Sequence, residues 1–138
     1  MKTFDIAPLD SAGPVRFGMT REEVHAALGS PETVDNAREW FMDGFAVDFD
    51  SNGKVELLEF ASSDQFRVLF HGQCIHELSA DDAVALVSQH ATYDANDPEL
   101  GYTYMFPKLQ LSLWRPGTEE PRFHAVAIGR EGYFDNSP

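Results

Sequence analysis

Hydrophobic and polar positions along the chain fall into two kinds of pattern. Phe45, Val47 and Phe49 alternate with Ala46, Asp48 and Asp50, the period of a half-buried strand, and Asp50-Ser-Asn-Gly53 turns it back into a returning strand over Lys54 to Ala61. By contrast, Val24, Ala27 and Leu28 share one face of a helix whose ends are both written out. Thr20 caps it and Glu23 completes a capping box, while Gly29 and Pro31 stop it. Upstream, residues 3–9 read as a short strand and Ser11-Ala-Gly-Pro14 as a turn. Thr33 to Met42 reads as one strand, with Trp40 and Met42 on one face and Glu39 and Phe41 on the other, and Asp43-Gly44 closes a tight turn. Phe66 to Phe70 is a further short strand.

The second half repeats the plan. Ser79 takes the place of the Thr20 cap, Asp82 that of Glu23, and Ala83, Leu86 and Val87 form the buried face of a helix ending near His90. After a polar connection, Tyr102 to Phe106 and then Leu109, Leu111 and Leu113 predict the next hairpin. Lys54 to Phe60 and Arg122 to Ile128 are both apolar at their second, fourth, fifth and seventh positions. Two adjacent apolar residues break strict alternation, as a bulge or an edge with both faces covered does. These spacings predict a single α+β domain of two tandem helix-plus-hairpin repeats, about 15–61 and 75–129. The hairpins are expected to join into one antiparallel sheet with the helices on one face.

Charge narrows the function. The 138 residues carry 10 basic and 23 acidic side chains, net −13, and both halves share the excess. Such a field repels phosphate backbones and anionic lipid surfaces and draws in basic proteins, so neither nucleic acid nor membrane is expected as a partner. One cysteine, Cys74, excludes an internal disulfide and predicts a buried thiol. Met1 to Asp10 lacks an apolar signal segment, and the expected location is cytoplasmic.

Residues 48–59, DFDSNGKVELLE, fit a calcium-loop pattern at Asp48, Asp50, Asn52, Gly53 and Glu59. Their flanks read as strands rather than helices, with Asp48 opposite Glu56. At roughly 3.4 Å per residue the hairpin then sets Glu59 about 10 Å from Asp48. A calcium or small-ligand site on Asp48, Asp50 and Asn52 is therefore the alternative expectation. The five histidines make no HExxH motif, Ser79 is accounted for as a cap, and no Gly-x-Ser-x-Gly elbow occurs, so the chain is not expected to be an enzyme or to need a cofactor.

What remains is a surface. Opposite the apolar face of the hairpins lie Asp48, Asp50, Glu56, Gln110, Ser112, Trp114 and His124, with Trp40, Tyr102 and Tyr104 on neighbouring strands. Aromatic rings among carboxylates suit a face that binds a basic protein: the rings anchor, the carboxylates steer.

The run Gly18 to Pro31, GMTREEVHAALGSP, resembles the helix signature of the SmpA/OmlA-like lipoproteins. Together with the tandem plan it is similar to the β-lactamase inhibitor protein fold. The resemblance implies a helix-backed sheet of two similar modules that acts by binding another protein. Without paired cysteines or a signal segment, a small acidic chain of this plan looks like a cytoplasmic immunity protein that neutralises a basic toxin.

Overall fold

Local capping chemistry starts both helices. In the computed structural model, which describes residues 1–135, Thr20 Oγ1 accepts from the Glu23 amide at 3.2 Å and Glu23 Oε1 accepts from the Thr20 amide at 3.0 Å. This fixes α1 (Arg21–Leu28), and Gly29 ends it at φ +90°, where a side chain would be strained. Ser79 Oγ accepts from the Asp82 amide at 3.1 Å to start α2 (Ala80–Ser88).

The chain opens with β1 (Lys2–Ala7), β2 (Ser11–Ala12) and β3 (Val15–Arg16), so the segment expected as a plain turn at 11–14 folds into a short hairpin. Past α1, the stretch 33–42 is broken into β4 (Thr33–Asp35) and β5 (Arg38–Phe41) by a turn at Asn36, whose φ of +54° asparagine tolerates better than most residues. Then follow β6 (Phe45–Phe49), β7 (Val55–Ala61), β8 (Phe66–Phe70) and β9 (Gln73–Cys74). After α2 come β10 (Thr103–Phe106), β11 (Leu111–Trp114) and β12 (Ala125–Gly129).

The architecture is α+β, but the strands form two sheets rather than the single one expected. Seven strands order as β10-β11-β12-β7-β6-β5-β4 and are antiparallel throughout. Five others order as β3-β2-β1-β8-β9, with β1 and β8 parallel. The second sheet exists because β1 and β8 each bury alternate residues, Phe4 and Ile6 against Phe66, Val68 and Phe70. Both apolar rows need a cover, and each supplies part of it for the large sheet. Phe45 and Phe60, paired across β6 and β7, stack with ring centroids 4.2 Å apart, and Phe4 packs on them at 5.0 and 5.3 Å. Buried side chains of both helices, Val24 and then Ala83, Leu86 and Val87, join the same core. Free Cys74 is buried.

In the β6–β7 ladder Asp48 pairs with Leu57 and Phe49 with Val55, leaving Glu56 as the extra residue of a bulge. The adjacent apolar pair Leu57-Leu58 lies in an unbroken stretch of the ladder: Leu58 points to the core and Leu57 to the other face, and both are buried, so the sheet is covered on both faces there. No helix is long and apolar enough to cross a membrane among the described residues.

Candidate functional site

One face of the seven-stranded sheet is packed into the core; on the other, a single-turn helix (Tyr133–Asp135) covers the end at Gly129 and Leu57, and among the described residues the rest carries no layer of helix or sheet. Its residues follow from the registers. Trp40 stands opposite Ala46, Ala46 opposite Glu59, Glu59 opposite Ala127 and Ala127 opposite Ser112. Beside that row, Ala61 pairs with Ala125 and Ala125 with Trp114. Because small residues lie between two indoles, this face has a trough of about 410 Å³, walled by Trp40 and Trp114, with Gly44, Ala61, Ala125 and Glu59 lining the rest. Gly44 is required at its end: φ is +135°, and a Cβ there would stand 3.2 Å from that of Ala61.

Arg38 organises one side of the trough. Its Nε and Nη2 donate to both oxygens of Asp48 at 2.6 and 2.9 Å, and its Nη1 donates to Glu59 Oε1 at 2.9 Å. The guanidinium also lies 5.1 Å from the Trp40 ring centroid. Hydrogen bonding to Asp48 pushes the Arg38 pKa up, with the nearby carboxylate charges adding to it. One cation thus serves two carboxylates, and the group keeps one net negative charge beside the trough.

Several of the residues expected on this face are placed differently. Tyr104 pairs with Leu113 and packs on Tyr93 and Phe123, so it belongs to the core face with Phe106. Gln110 is buried, 2% exposed: it sits in a turn at φ +50°, and its side chain bonds Pro107 O, Asp135 and the Phe134 amide. That burial removes it from any docking surface. Asp50 accepts from the Asn52 and Lys54 amides at 2.8 and 3.0 Å within its own turn, which holds its pKa below the usual value. Glu56 lies 3.7 Å from Arg130. Trp114, 41% exposed, meets the His124 ring edge-on at 6.4 Å, and His124 Nε2 is 3.5 Å from Glu120. Tyr102 is exposed just before β10.

The calcium-loop pattern closes a hairpin. Asp50 and Lys54 pair across the turn, and Gly53 adopts φ +74°. Asp48 and Glu59 meet at a guanidinium, and the Asp50 oxygen is used locally. No group of three or more His, Cys, Asp or Glu side chains is placed to hold a metal ion among the described residues.

Two polar groups extend beyond the expected set, the second of them including the expected His124. Glu39, 3% exposed on the core side of β5, is bound by Arg21 and, at 2.6 Å, by His25 Nε2, which ties α1 to the sheet. Next to the trough, sharing Ala61, a second hollow of about 400 Å³ is lined by His76, Glu120, Arg122 and His124. Burial pushes the His76 pKa down, and its Nε2 is 3.1 Å from Phe60 O. Arg38 and Glu39 could have been noticed as charges inside an otherwise aromatic strand, but their partners are distant in sequence.

Comparison of the chain with protein-family models, with curated proteins and with solved structures finds no match.

Proposed function

We propose that this chain is a non-enzymatic protein-binding module that holds a basic partner on the open face of its large sheet, and that inhibition of that partner, as by an immunity protein, is its role. The observation that carries this reading is the pair of indoles, Trp40 and Trp114, flanking a floor of alanine and glycine. Large rigid rings beside small residues let a partner approach the backbone closely and anchor there. A net charge of −13 supplies long-range attraction for a basic surface. Strand β12 closes the meander β10-β11-β12 and β7 closes the longer meander β4-β5-β6-β7, and the two lie side by side, which supports the reading of two tandem modules. The resemblance to the β-lactamase inhibitor protein plan points the same way.

The test starts by recovering the tagged chain from its host at low salt and eluting bound proteins with a salt gradient. The eluted protein is then purified and titrated with wild-type chain and with Trp114→Ala. The proposal expects a basic protein whose affinity falls with salt and drops at least about tenfold with the variant, the loss of one interface hot spot. A partner that binds both chains equally, at any salt, refutes it.

A further inference from the structure

The trough also constrains what enters it. We infer that it takes one arginine or lysine side chain of the partner, seated between the two indoles and paired with Glu59; this rests on the binding role proposed above. Glu59 is the one charged residue lining the trough. Its Oε1 is occupied by Arg38, and its side chain remains 33% exposed. Arg38 does not neutralise this side of the trough, because both of its edges are committed and Asp48 takes two of the three bonds. One negative charge is left over, and a cation of the partner is its natural complement.

The rest of the lining suits the same occupant. Indole faces attract cations, by about 0.5–2 kcal/mol depending on desolvation. The aliphatic stem of arginine or lysine covers apolar surface while its head stays polar, and Ala61, Ala125 and Gly44 offer that surface. Arginine matches best, since its planar group stacks on a ring and still donates in plane to a carboxylate.

Capped hexa-arginine is the probe, titrated at low salt into the full chain while the indole N–H signals of its 2 tryptophans are followed. Glu59→Gln keeps an acceptor for Arg38 but removes the charge. Glu22→Gln makes the same charge change at an exposed position of α1, which packs on the opposite face. The expected result is movement of both indole signals, at least fivefold weaker binding in Glu59→Gln and in Trp114→Ala, and less than twofold change in Glu22→Gln. Equal weakening by the two glutamine variants, binding without indole movement, or no binding at all overturns the inference. Those outcomes leave the binding role standing if the natural partner still depends on Trp114, and the two failures are thus told apart.

Discussion

Replacing Arg38 by methionine removes the cation from Asp48 and Glu59 while keeping an apolar stem of similar reach against Trp40. Three charge-assisted hydrogen bonds disappear, at 2.6, 2.9 and 2.9 Å, and two carboxylates on neighbouring strands are left without their shared partner. Removing one partner of a fully buried pair costs about 3–5 kcal/mol. Here the side chains of Arg38, Asp48 and Glu59 are 29%, 18% and 33% exposed, so water recovers part of that loss and about 2–3 kcal/mol is expected. For 138 residues the unfolding entropy is roughly 0.29 kcal/mol/K, so the melting temperature should fall by about 7–10 °C. Arg38→Lys keeps the charge without the planar fork and should lose about half as much. Thermal and urea unfolding at neutral pH read both variants, and a double-mutant cycle with Glu59→Gln isolates the pair. A destabilisation under about 0.5 kcal/mol, the level of an ordinary surface change, would refute the idea that this network holds the binding face in shape.

Two further outcomes follow from other parts of the molecule. Thr20→Ala breaks the capping box and should cost about 1 kcal/mol, lowering the melting temperature by about 3 °C; an unchanged melting curve would show that packing alone positions α1. Burial holds His76 below its ordinary pKa, so the unfolded chain takes the proton more readily. The stability this gives is present above about pH 6.5 and is lost as the pH falls below it, toward the lower folded value. His76→Gln should flatten the decline of the urea midpoint between pH 7.5 and pH 5.5, and an unaltered slope would contradict this.

Which parts of the fold were legible in the sequence depended on the range of the interactions. The Thr20 and Ser79 caps and the Asp50-Gly53 turn are local, and their residue types dictate them. The division into two sheets is not local: Phe4 pairs with Val68 across most of a half-chain, and alternation in either strand says only that one face is buried. Alternation correctly separated Trp40 from Glu39 and Phe41. It failed at Gln110, because Leu109 and Gln110 belong to a turn rather than to the strand of Leu111 and Leu113, and the amide is needed inside by Phe134 and Asp135. It also read through Asn36, where a left-handed residue splits one expected strand into two. Arg38 was invisible as an organiser of the site, since its partners lie 10 and 21 residues away and only the folded ladder brings them together.

The most direct measurement uses the 2 tryptophans, one on each wall of the trough, as its only indole reporters. With nitrogen-labelled chain and the partner recovered from the host, both indole signals should shift or broaden on complex formation, while amides of α1 and α2, on the covered side, stay in place. A complex that forms with both indole signals unmoved would contradict the claim that the open face of the large sheet does the binding.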